Sequence, residues 1–139
     1  MILVDTAVLL DLATQDRDWF VWSARQVAWF GTHDSLAINT IIYGELAVKC
    51  DRRGELDSRL AGWRIEPVDT DIVWRAAKAH AAYRAHGGKR ERILGDFWVG
   101  AHAEVKGLQL LTRNPADFAG FHLPDLICPG QNDAPNDRR

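Results

Sequence analysis

The chain has 139 residues, 47% hydrophobic and 26% charged, with 17 Lys and Arg against 19 Asp and Glu for a formal net charge of −2. This is the composition of one globular domain with one core, and no apolar run approaches the roughly 18 residues that a membrane helix needs. The slight negative charge argues against non-specific duplex DNA binding, though not against a nucleic-acid enzyme whose metal ions supply local positive charge.

The first expected strand is "ILVD", whose β-branched, apolar character suits a buried parallel strand. Asp5 closes it, and burying an unpaired carboxylate there costs several kcal/mol, so the residue needs compensation. A helix is expected from Asp16 to Phe30, carrying Trp19, Phe20, Trp22, Val27, Trp29 and Phe30. The strand "SLAIN" follows from Ser35, and Asn39 and Thr40 then signal the cap of a helix to Cys50. "WRIEPVD" from Trp63 is the third strand. Ile72, Ala76, Ala79, Ala82 and Tyr83 recur at helical spacing between Asp71 and His86, and Gly87 supplies a stop. The next helix begins near Asp96. "LQLLT" from Leu108 and "LPDLICP" from Leu123 complete five strands, and the polar "GQNDAPNDRR" reads as a disordered tail.

Strands alternating with helices imply parallel pairing through right-handed crossovers, hence a three-layer α/β/α domain over residues 1–129 with a five-stranded parallel sheet and a tail over 130–139. Cys50 and Cys128 lie far apart, outside any C-x-x-C pattern, and read as buried thiols. The N-terminus lacks an export signal, so a cytoplasmic location is expected.

In open α/β sheets the ligand site lies beyond the carboxyl ends of the strands, where strand order reverses. Asp5 sits at such an end, although alone it could equally cap the next segment. Glu45 stands four residues after Ile41, three after Ile42 and three before Val48, on the apolar stripe of its helix. Pairing with Lys49 or Arg52 is the alternative. Asp96 falls at or just before the first turn of a helix that shows Val99, Gly100 and Ala103 on one face, where N-capping competes with a site role. Asp11, Asp69, Asp71 and Glu104 are expected to be solvated. The five histidines are dispersed without zinc spacing, and there is no G-x-S-x-G elbow, Walker A loop or G-x-G-x-x-G fingerprint. A carboxylate cluster remains. Converging carboxylates raise one another's pKa unless a hard divalent cation neutralises them, and Mg²⁺ or Mn²⁺ so held suits phosphate chemistry.

"ILVDTAVLL", "INTIIYGEL", "ILGDFWVGAHAEVKGLQLLTRNPADF" and "LICP" occur in order over nearly the whole chain, and together they resemble a PIN-domain ribonuclease, more narrowly a VapC-type toxin of a toxin–antitoxin pair. The resemblance implies a five-stranded PIN fold, Mg²⁺ or Mn²⁺ held by Asp5 and Asp96, a catalytic role for Glu45, and Thr112 as the polar residue beside the site, with Thr6 in support. It also implies RNA cleavage, a homodimer and silencing by a small antitoxin. Asn114 stands where some members carry a fourth aspartate, which leaves Asp117 as the nearby acid. Asn114, Pro115 and Asp117 also read as a capping sequence. The tryptophan segment is read as core and dimer contacts, and "KRER" as a solvated loop that could approach RNA phosphates. Two other functions compete: a non-catalytic PIN-like module that binds RNA or a partner, and a haloacid-dehalogenase-like phosphohydrolase. The latter needs D-x-D after its first strand, where this chain has Asp5, Thr6, Ala7.

Overall fold

In a computed structural model, which describes residues 1–89 and 95–136, four parallel strands pair in the order β3-β2-β1-β4. They are β1 (Ile2–Val4), β2 (Leu36–Asn39), β3 (Arg64–Glu66) and β4 (Gln109–Leu111), with Leu3 opposite both Ala37 and Leu110. Successive strand residues face opposite sides of a sheet, yet Ile2, Leu3 and Val4 are all buried, so both faces are covered as the three-layer reading requires. The order reverses at β1, with β2 and β3 on one side and β4 on the other, and the switch point lies between β1 and β4.

The expected fifth strand shrinks to one parallel bridge between Leu111 and Ile127, held by hydrogen bonds from Ile127 N–H to the Leu110 carbonyl (2.8 Å) and from Thr112 N–H to the Ile127 carbonyl (3.0 Å). Pro124 and Pro129 flank the segment, and proline has no N–H with which to extend a ladder.

Among the described residues six helices surround the sheet: α1 (Thr6–Thr14), α2 (Phe20–His33), α3 (Thr40–Val48), α4 (Arg53–Arg59), α5 (Thr70–Ala85) and α6 (Gly95–Lys106). Two were not anticipated. The apolar start of α1 reads as a continuation of β1, and α4 is short with only Leu56 buried. Asp16, the expected start of α2, instead forms a preceding turn, its carboxylate accepting the N–H groups of Asp18 and Trp19. The Asn39 cap of α3 is present, with Oδ1 accepting from Ile42 N–H at 2.9 Å, a contact worth about 1 kcal/mol. Asp69 caps α5 in the same way through Ile72 N–H. That helix ends where Gly87 turns left-handed (φ +91) and Gly88 N–H reaches back to the Tyr83 carbonyl.

The main core lies around the strands, and a second cluster of Ile72, Ala76 and Ala101 joins α5 to α6. Gly100 is explained by packing, since a Cβ there would lie 2.4 Å from Phe121 Cδ2. Trp19 and Trp22 meet edge to face at 5.8 Å with Trp22 in the core, whereas Trp29 and Val21 face solvent. The tryptophan segment is therefore only partly core.

Two solvation expectations are corrected: Asp11 is 2% exposed and pairs with Arg113, and Glu104 is half-buried against Arg75, whereas Asp71 is exposed and the Asp69 side chain stays open to solvent while it caps α5 and pairs with Lys106. Cys128 is a buried free thiol, but Cys50 is only partly covered. The tail is also corrected, because residues 130–136 pack as a strap along α2. Trp22 Nε1 donates to Asp133 Oδ2 (3.0 Å), Ala134 N–H donates to Gln26 Oε1 (2.7 Å), and Ala134 is buried. Residues 137–139, and all of "KRER" but Lys89, lie outside the described residues. Among the described residues no helix is long and apolar enough to cross a membrane.

Candidate active site

Asp5 leaves β1 in an extended conformation at the switch point and is 5% exposed. Its N–H donates to the Leu111 carbonyl (2.9 Å), which ties it to β4. Thr112, the residue after β4, is buried and its Oγ1 donates to Asp5 Oδ2 at 2.8 Å, while the N–H of Asn114 donates to Thr112 Oγ1 at 3.0 Å. Asp5 makes no side-chain capping bond to α1, so the capping alternative is not realised. Its compensation is the Thr112 hydroxyl together with the Thr6 backbone N–H, and among the described residues no ion pair reaches it.

Glu45 is placed differently from expectation. Ile42 and Leu46 are buried, but Val48 is 86% exposed and Glu45 faces solvent, so the short α3 has no continuous apolar stripe running through position 45. Glu45 pairs with neither Lys49 nor Arg52. Thr6 Oγ1, from the first residue of α1, donates to Glu45 Oε1 at 3.0 Å and holds it at the lip of the site.

Asp96 is the second residue of α6, inside the first turn, and half-buried. Gly95 lets the Glu45 carboxylate come close, since a Cβ on Gly95 would stand 3.0 Å from Oε2 and 3.1 Å from Oε1. Nothing in the sequence marked Gly95, because the contact joins α3 to α6. Asp117 sits on an exposed 3₁₀ turn, Pro115–Phe118, and its N–H donates to the Asn114 carbonyl (3.1 Å). The Asn114 side chain caps nothing, so the capping alternative for Asn114 and Asp117 is not realised.

The four acids act on one another. Burial pushes the Asp5 carboxyl above its ordinary value; the Thr112 hydroxyl and the Thr6 backbone N–H pull it down, and Glu45 and Asp117 add repulsion. Asp96 is pushed up to about 6, by burial first and then by Asp5, Asp117 and Glu45. Among the described residues no ion pair reaches any of the four, since the neighbouring Arg113 is committed to Asp11. Oxygen donors that repel one another fit a hard divalent cation. Among the described residues no three acid, histidine or cysteine side chains close into a metal cage, so an ion here would keep water in its shell, as Mg²⁺ prefers.

Gly95→Ala tests the approach of Glu45 to α6. Helix propensity leaves stability unchanged or raises it by up to about 1 kcal/mol. Displacing the carboxylate should nonetheless lower the RNA cleavage that the sequence resemblance implies about tenfold or more. Melting curves and rates on the same preparation check this, and a wild-type rate would remove Glu45's position from the argument.

A parallel α/β domain that gathers acids at its topological switch point, with no ion pair to them among the described residues, offers the oxygen donors that a divalent cation would need. A family model described as PIN domain matches residues 2–120, and the chain belongs to the PIN-domain family. It is 36% identical over 138 residues to a Mycobacterium tuberculosis protein named Ribonuclease VapC10, covering 94% of this chain and 96% of that one. A solved toxin–antitoxin complex from Klebsiella pneumoniae contains a chain 26% identical to this one, with a TM-score of 0.59 over 91% of this chain and 100% of that chain. A chain of VapBC2 from Rickettsia felis, solved bound to a promoter DNA fragment, shares the fold at a TM-score of 0.67 and 18% identity, covering 92% of this chain and 97% of that one.

Proposed function

We propose that this chain is a ribonuclease, the toxin of a toxin–antitoxin pair, that hydrolyses RNA phosphodiester bonds with Mg²⁺ or Mn²⁺. The carrying observation is the convergence of Asp5, Asp96, Glu45 and Asp117 at one end of the sheet with Asp96 raised to about 6. Membership of the PIN family and 36% identity to a ribonuclease along nearly the whole of both chains support the same reading.

In this reading Asp5 and Asp96 hold the ion, and Glu45 helps to orient water or a second ion. An ion held there would neutralise the acids and would supply a lowered pKa for water and a charge to offset that on the phosphodiester. Thr112 orients Asp5 through Oδ2, and Thr6 orients Glu45 through Oε1. Metal-activated water leaves a 5′-phosphate and a 3′-hydroxyl, whereas attack by the ribose 2′-OH leaves a cyclic phosphate. Incubating RNA with Mg²⁺, Mn²⁺ or EDTA and analysing the new ends is the test, and cleavage in EDTA or cyclic-phosphate ends would falsify it.

Asp117 is assigned to the metal site rather than to a cap. Its side chain is exposed, so Asp117→Ala should leave the fold intact and raise the Mn²⁺ concentration needed for half-maximal cleavage by about tenfold. Asn114→Ala should change that concentration little. Wild-type metal dependence in Asp117→Ala would return the residue to a structural role.

The partners in this reading are RNA, a small antitoxin and a second copy of the chain. Exposed Trp29 and Val21 on α2 are apolar surface that an antitoxin helix or a second protomer would cover. Light scattering on the purified chain, with and without the product of an adjacent antitoxin gene, should give a dimer that enlarges. A monomer indifferent to that product contradicts both partners.

A further inference from the structure

Arg113 stands between Thr112, which with Leu111 ties the end of β4 to Asp5, and Asn114, which supports Thr112, and its side chain goes elsewhere. Nε and Nη2 donate to Asp11 Oδ2 (2.8 Å) and Oδ1 (3.1 Å), Ser23 Oγ donates to Oδ2 as well (2.8 Å), and the guanidinium lies 5.4 Å from the centre of the Trp19 ring. Both oxygens of a nearly inaccessible carboxylate are thus held by one arginine and one serine.

Stability alone does not account for this arrangement, because a buried ion pair roughly breaks even against well-packed apolar side chains. An arginine fork does fix direction, since two parallel bonds to a carboxylate leave the guanidinium little freedom. What it fixes follows from the neighbours. Thr112 Oγ1 points to Asp5, Asn114 N–H returns to Thr112 Oγ1, and Asn114 C=O takes the Asp117 N–H. On the other side, α1 carries Asp11 and, at its start, Thr6, which holds Glu45.

We propose that the Asp11–Arg113 pair is a positioning clamp, locking α1 to the turn after β4 so that the supports of Asp5, Glu45 and Asp117 keep one mutual geometry. Its catalytic consequence rests on the ribonuclease reading above; its geometric consequence does not.

Asp11→Asn keeps the shape and removes the charge, and Arg113→Lys keeps the charge and removes the fork. In each, amide exchange at Asn114 and Asp117 should accelerate at least about tenfold while the sheet amides of Leu3 and Ile38 keep wild-type protection. At a temperature where the variants are fully folded, kcat at saturating RNA should fall about tenfold or more, with KM little changed. A pair that only stabilises the fold would lower the melting temperature and leave both readouts at wild-type values per folded molecule, and that result overturns the clamp. If the wild-type chain itself cuts no RNA, the ribonuclease reading fails and amide exchange alone decides the clamp.

Discussion

Asp5→Asn should reduce RNA cleavage by about 100-fold or more, and in metal-free buffer at neutral pH the variant should melt at or above the wild-type temperature. Asp5 is almost inaccessible and its carboxyl is raised by burial and by Glu45 and Asp117, with Thr112 as its side-chain donor. Asparagine keeps an oxygen for the Thr112 hydroxyl and removes the buried charge, so the fold loses a repulsion rather than a contact. A second readout follows, because Asp5 is the foremost of the charges that raise Asp96. In the variant Asp96 should titrate lower, though still above an ordinary aspartate because its burial remains. Paired melting curves and cleavage assays, each with EDTA and Mg²⁺ arms, check the result. A wild-type rate, or a melting temperature well below that of the wild type in EDTA, contradicts it.

Mn²⁺ should stabilise the protein strongly at about pH 7.5 and far less at about pH 5. Asp96 is raised to about 6 in the folded chain, and Asp5 is raised in the same direction, so between about pH 4 and 6 Asp96 makes the folded chain bind more protons than the unfolded chain. The contribution of Asp96 to metal-free stability therefore falls as pH rises through that window, and its repulsion with the neighbouring acids is felt at neutral pH. Asp34, Asp69 and Glu104 are held below their ordinary values by hydrogen bonds from the N-terminus, Lys106 and Arg75 respectively, and they cost stability only at lower pH, below about 4.5. A divalent cation removes the neutral-pH penalty and must displace the proton on Asp96 to bind. At a metal concentration about 100 times Kd the gain is about 2.7 kcal/mol, roughly 10 °C for a domain of this size. Thermal melts over a grid of Mn²⁺ and pH give the answer. A gain that is absent, or equal at both pH values, places the ion elsewhere.

Removing metal by the same logic should stop cleavage without unfolding the chain. The main core is built from Ile2, Leu3, Val4, Ile38, Leu110 and Ile127, none of which depends on the acids for burial. The predicted separation of activity from folding is the signature of a site placed on a scaffold rather than inside its core.

Much of this was legible in the amino-acid order. "ILV" had to be a buried strand because its apolar run is short and β-branched, and Asn39 and Gly87 mark helix ends through contacts that reach only a few residues. The order of "ILVDTAVLL", "INTIIYGEL", "ILGDFWVGAHAEVKGLQLLTRNPADF" and "LICP" was enough for the family, and the fold puts Asp5 at the end of β1, Glu45 within α3 and Asp96 in the first turn of α6. Tertiary structure decided the rest. The clamp joins positions 11 and 113, the Thr6–Glu45 bond joins α1 to α3, and Gly95 matters only because α3 stands beside α6. The strap over residues 130–136 is polar by composition yet ordered by Trp22 and Gln26 far upstream. The physical reason is range: capping, turn and periodicity signals are written within a few residues, whereas desolvation and charge repulsion depend on every group that the fold brings near. The sequence could name the acids, and only the packed domain determines which of them feel one another.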